Sequence, residues 1–115
     1  MTDITKAPKP MKWSGGEHAM TLNHPWVRNV LSIRGLPGDY GTTPSACFKR
    51  FEEGVFSTDD VERIIYLGLI GGGLSLSEAD ALVLRFVRSR PIMENHTVAV
   101  SVLATLFSDV ETEAA

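Results

Sequence analysis

Gly71, Gly72 and Gly73 are the residues most open to a chemical reading. Consecutive glycines can cradle phosphate, because bare backbone N–H groups approach an anion closely. A phosphate loop of the Gly-x-x-x-x-Gly-Lys-Ser/Thr type needs a lysine after its glycines. Here Leu74, Ser75 and Leu76 follow instead. A dinucleotide turn needs a strand before its glycines, and the residues before these carry a helical pattern. The pattern predicts a helix exit, with Gly72 at positive φ and a short link to the next helix start. Three glycines exceed what a cap requires, so tight packing or a hinge accounts for the others.

Other chemistry-bearing residues are sparse. His18 and His24 lie six residues apart, and neither they nor His96 sit in a Cys-x-x-Cys or His-Glu-x-x-His pattern. Surface histidines are expected, with no metal and no cofactor. Cys47 beside Phe48 fits a small buried apolar group, and no partner base is placed near it. Asp59, Asp60 and Glu62 stand where a helix begins, which the helix dipole explains without a metal. Glu52 and Glu53 suit a solvated face. Trp13 and Trp26 are the candidate partner contacts, since aromatic side chains concentrate at protein interfaces; covering the core is the competing role. No catalytic group emerges, and the chain is expected to act by surface contact rather than as an enzyme.

A chain of 115 residues supports one small domain with a modest core. Hydrophobic residues at 43% and charged residues at 22% are ordinary for a globular protein. The net charge of −3, with no basic cluster, argues against a nucleic-acid partner. One cysteine forms no internal disulfide and suits a reducing compartment. No apolar run approaches the roughly 20 residues that span a bilayer, and "MTDITKAPKPMKW" lacks a signal-peptide core. A cytoplasmic location without membrane attachment is expected. Residues 1–12 are expected to be a flexible tail, 13–108 one domain, and 109–115 a frayed end.

The elements follow from spacing. "EHAMTL" (17–22) and "WVRNVLSI" (26–33) alternate well enough to predict strands, turned at "NHP" into a hairpin. "RGLPGDYGTTP" (34–44), rich in glycine and proline, predicts a loop or a very short helical turn. Pro44 then opens a short helix with Cys47, Phe48 and Phe51 on one side and Gly54 at its end. Ser57 or Thr58, followed by acids, starts a helix whose stripe is Val61, Ile64, Ile65, Gly68 and Leu69. Ser75 and Glu78 have capping-box spacing, Ser77 with Asp80 offers a second register, and Ala79, Leu82, Val83, Phe86 and Val87 repeat the stripe. Arg85, Arg88 and Arg90 fall late in that helix, and Pro91 stops it or starts the next. Residues 96–107 predict a last helix offering Val98, Val102, Leu103, Leu106 and Phe107 to the core, with a buried strand as the rival. The fold class is mainly α: an N-terminal β-hairpin and a compact bundle of about four helices, α+β overall.

One stretch carries a resemblance. "FKRFEEGVFSTDDVERIIYLGLIGGGLSLSEADALVLRFVRSRPIMENHTVAVSVLATLF" resembles the gene transfer agent family of small phage-tail proteins. The shared pattern is Arg50, Phe51 and Gly54; then Ser57 and Asp60; then Leu69 to Gly73 and two further helices. "GGEHAMTL" and "VRNVLSI" resemble the family's start. A longer helix usually follows the hairpin there, and glycine and proline interrupt that region here. The resemblance implies a non-enzymatic part of a phage-like tail from a bacterial genome or prophage. Its expected partners are the tape-measure and tail tube proteins, or further copies of itself. Two roles are open: an assembly chaperone, and a structural subunit of the tube. Tube subunits build large β-sheet rings, and the scarcity of strands here favours the chaperone. A helix-turn-helix regulator of DNA, built on 58–70 and 77–89, is the alternative from another class.

Overall fold

The computed structural model describes residues 10–107. Strands β1 (Pro10–Trp13) and β2 (Gly16–Ala19) form an antiparallel hairpin, followed by helices α1 (Pro25–Arg34), α2 (Pro44–Glu53), α3 (Thr58–Gly71), α4 (Leu76–Val83) and α5 (His96–Ala104). The predicted class, a hairpin before a mainly helical domain, is what the chain forms. A π-helical turn continues α4 through Arg88, and a 3-10 turn at Ile92–Asn95 leads into α5.

The hairpin is not where alternation put it. Its strands pair Trp13 with Gly16 and Pro10 with Ala19, so residues 10–12, assigned by composition to the tail, are strand. Expectations for residues 1–9 and 108–115 lie outside the described residues. Residues 26–33 are helix α1 rather than a second strand. Two local features start that helix: Pro25 sits in its first turn, and the His24 side chain accepts from the Trp26 N–H at 3.1 Å. Pro25 therefore works as a helix opener, not as a hairpin turn. Val27 and Leu31, one turn apart, are buried, Val30 is half-buried, and Asn29 and Ile33 point outward. That is a period of 3.6, which the imperfect alternation masked.

The remaining helices start and stop on their own chemistry. Thr43 caps α2 and left-handed Gly54 ends it. Ser57 with Asp60, and Ser75 with Glu78, form reciprocal capping boxes on α3 and α4. Residues 96–104 are helix, not strand, and the chain turns at Thr105, so α5 stops short of the expected 107. The Thr105 hydroxyl donates to the Val102 carbonyl and accepts from the Leu22 N–H. Phe107, offered to the core by the pattern, is about half exposed and lies over Phe48.

Helix α3 is the centre of the molecule. Val61, Ile64, Ile65 and Leu69 are fully buried, and Gly68 is buried with them. It packs against α1, α4, α5 and β2. A Cβ on Gly68 would come within 2.6 Å of Val102, so this glycine lets α5 approach. Beyond β2, the chain crosses the C-terminal end of α3, with the Thr21 N–H donating to the Gly68 carbonyl. A Cβ on Gly71 would lie 1.9 Å from the Thr21 carbonyl oxygen, and one on Gly72 1.9 Å from that of Ala19. Gly72 has φ −84°, so the expectation of positive φ there is corrected: backbone crossing excludes a side chain. The left-handed residue is Gly73, at φ +121°.

Gly72→Ala is expected to destabilise the fold by about 2 kcal/mol or more, since crossing backbone cannot yield as a side chain can. Gly73→Ala, which meets nothing in space, is expected to cost only about 1 kcal/mol of backbone strain. Thermal melting of both variants checks the order; equal melting points would refute it.

Candidate interaction surface

The residues singled out for chemistry are dispersed in space. His18 accepts at Nδ1 from the Trp13 indole N–H at 2.9 Å, and His24 caps α1. His96 packs against the rings of Phe51 and Phe56. Among the described residues, no three His, Cys, Asp or Glu side chains converge as a metal site would require. Cys47 is fully buried, and burial pushes its thiol up to about 12, with the nearby Asp60 charge adding to the shift. A thiol so placed stays protonated and unreactive at neutral pH.

Asp60 has a role that the capping pattern only half revealed. It is buried beside Arg50, whose guanidinium grips both carboxylate oxygens at 2.9 and 2.7 Å. The same guanidinium donates to the carbonyls of Leu36, Asp39 and Gly41. One side chain of α2 thus ties α3 to the loop 35–43. The carboxylate also accepts from the Ser57 N–H. Burial alone would raise the Asp60 carboxyl. The Arg50 and Ser57 hydrogen bonds, with the Arg50 charge, outweigh it and hold the group below its ordinary range. A signal was present in the sequence: Arg50 falls on the buried stripe Ala46, Cys47, Phe51 of α2, where an unpaired charge has no place.

The two tryptophans part company. Trp13 is half-buried, bonded to His18, with its ring edge-on to Phe86. Ser14 beside it donates to Asn95, which in turn donates to the Phe86 carbonyl. Trp13 therefore fastens the hairpin to the end of α4. Trp26 is 43% exposed and lines a cleft of about 540 Å³ between α1, α3 and α4. Along α1 the lining residues are Trp26, Val30 and Arg34, spaced four apart. On α3 they are Asp59, Glu62, Arg63, Tyr66 and Leu67, one face of the helix; Asp80 and Val83 come from α4 and Arg88 from the π-helical turn after it.

Charge in the cleft is largely settled internally. Arg63 pairs with Asp59 at 3.0 Å and Arg88 with Glu62 at 3.1 Å. Arg34 and Asp80, on opposite walls, have no ion-pair partner among the described residues. The centre is apolar, from Val30, Tyr66, Leu67 and Val83. Such a surface recognises by shape, apolar area and flanking charge. It is not legible in the sequence, because residues 26–33 alternate there as a strand would and its walls come from three separate helices.

A family model described as phage tail tube protein, GTA-gp10, matches residues 10–109. No curated protein matches the chain, and no solved structure matches it. The match begins at the first residue of β1 and takes in all five helices. Among the described residues, no helix is long and apolar enough to cross a membrane.

Asp60→Asn is expected to cost about 3–5 kcal/mol, because it leaves the buried Arg50 charge uncompensated. Chemical denaturation measures the loss, and a cost under about 1 kcal/mol would contradict the role given to the pair. The native Asp60 contribution is fully present above its unfolded pKa near ~3.9 and fades as pH falls through the lower folded value. Acid titration of the wild type should show that loss, and the variant should lack it. Cys47 is expected to resist a soluble thiol reagent at neutral pH until the protein is unfolded; rapid native labelling would show that the thiol is not sequestered.

Proposed function

The chain belongs to the phage tail tube protein family, and from that premise we propose that it serves tail building as an assembly chaperone. In this role it holds another tail protein while the tube polymerises, and carries out no covalent chemistry. Family membership gives the coarser statement, a part in a phage-like tail. The observation that carries the finer one is the distribution of secondary structure. Among the described residues the sheet is one hairpin of two four-residue strands, and every other regular element is helical. A wall made of β-sheet rings needs long strands with edges to share between subunits, and β1 and β2 have little to share. The open cleft between three helices suits capture of another chain instead.

Its partners in this account are the tape-measure or the tail tube protein, and self-association is the competing use of its exposed surfaces. The place of action is the bacterial cytoplasm. A structural place in the tube is the second reading, favoured by the family's own description. The DNA-binding reading loses support from the charge on α3 and α4. The first turn of α4, where a recognition helix meets bases, carries Glu78 and is followed by Asp80. Arg88 and Arg90 pair with Glu62 and Glu94 rather than facing solvent unpaired.

Two measurements on one system decide between these roles: co-expression with the tube and tape-measure proteins, and mass spectrometry of purified particles. The chaperone account predicts co-purification with one of the two proteins and absence from finished particles. Many copies per particle would replace the chaperone with a structural subunit. Salt-sensitive retention on duplex DNA without capture of either protein would overturn both.

A further inference from the structure

The walls of the cleft restrict what can lie in it. All three are helices, whose backbone N–H and C=O groups are already spent within the helix ladders. An extended segment laid there would find no strand edge and would leave its own backbone unpaired against Val30, Tyr66 and Val83. No buried side-chain nitrogen or oxygen among the described residues lacks a partner, so none awaits a small polar ligand. An occupant that brings its backbone already satisfied is an α-helix.

Shape and charge agree. Trp26, Val30 and Arg34 form an i, i+4, i+8 ridge about 12 Å long, enough to face two turns of a helix. On the facing wall Asp80 and Val83 come from α4, and Arg88 from the π-helical turn that continues it. The pairs Asp59–Arg63 and Glu62–Arg88 neutralise the floor, leaving Arg34 on one wall and Asp80 on the other to meet opposite charges. Among the described residues, the helices of this chain direct their own apolar stripes into its core, so none of them is a free amphipathic helix for a second copy to lend.

We propose that the cleft between α1, α3 and α4 seats one amphipathic helix of another tail protein, with an acidic residue toward Arg34, a basic residue toward Asp80 and an apolar stripe over Val30, Tyr66 and Val83. This rests on the chaperone reading and names the chemistry of its partner. The helix packs ridge into groove, and the Trp26 ring closes over one end.

The test uses the full chain co-expressed with the tape-measure protein, and separately with the tube protein. Arg34→Glu, Asp80→Lys and Trp26→Ala each alter an exposed side chain, and each is expected to weaken capture about tenfold or more with unchanged circular dichroism. A photoreactive benzoylphenylalanine at residue 26, and another at residue 80, should each crosslink to one segment of the partner, at positions three, four or seven residues apart. Undiminished capture by all three variants would overturn the cleft while leaving the chaperone reading intact. Crosslinks to a second copy, or to consecutive residues of an extended segment, would overturn the helical occupant. Wild-type capture of neither protein would remove both the inference and the reading beneath it.

Discussion

Helix α3 is held at both ends, and the rest of the fold depends on that clamp. At its start Asp60 lies buried against Arg50, so α2 and the loop 35–43 are bound to the first turn. At its finish the crossing chain at Ala19–Thr21 comes so close that Gly71 and Gly72 have no room for a Cβ. Between the two, Val61, Ile64, Ile65 and Leu69 are sealed from water by α1, α4 and α5. Burying four such side chains contributes roughly 1.5–3 kcal/mol each before chain entropy is counted. The clamps decide which elements can deliver that burial.

The two ends work by different physics. A buried ion pair gains little over an apolar pair of the same shape, yet losing one partner is costly. Arg50 justifies its place by what else it holds, the carbonyls of Leu36, Asp39 and Gly41, which otherwise would need water. The loop includes Tyr40 at φ +71°, an uncommon conformation for a residue with a side chain. Its neighbours on both sides are pinned by the guanidinium. At the other end no charge is involved. Absence of side chains lets two backbones touch, and this positions the hairpin, with Trp13 and Ser14 completing the attachment through Phe86 and Asn95.

Capping chemistry was the part of the fold most plainly written in the sequence. Ser57–Asp60 and Ser75–Glu78 mark the starts of α3 and α4, and the stripes behind them name Val61, Ile64, Ile65, Leu69, Ala79, Val83 and Val87 of the core. Residues 26–33 misled because Val27, Asn29, Leu31 and Ile33 alternate by accident of composition, while the decisive cue, Pro25 after a capping His24, is also a turn cue. The glycine run was legible as a helix exit, but its reason was not. Close approach of Ala19 and Thr21 is a tertiary fact that no local spacing encodes. The cleft was hidden for the same reason, since Trp26, Tyr66 and Val83 are brought together by packing alone. Trp26 could be singled out as an exposed aromatic; its neighbours could not.

A tail component needs surfaces more than it needs reactive groups, and this fold supplies a rigid centre with one flank left open. With α3 fixed, α1 and α4 stand apart over its outer face, and the space between them is a cleft of about 540 Å³ flanked by Arg34 and Asp80. The most direct measurement is hydrogen exchange of the chain alone and then with the tape-measure protein. Slowest exchange in α3 of the free chain, with new protection at 25–34 and 76–88 in the complex, is the predicted result. Early exchange in α3, or protection confined to the hairpin, would contradict it.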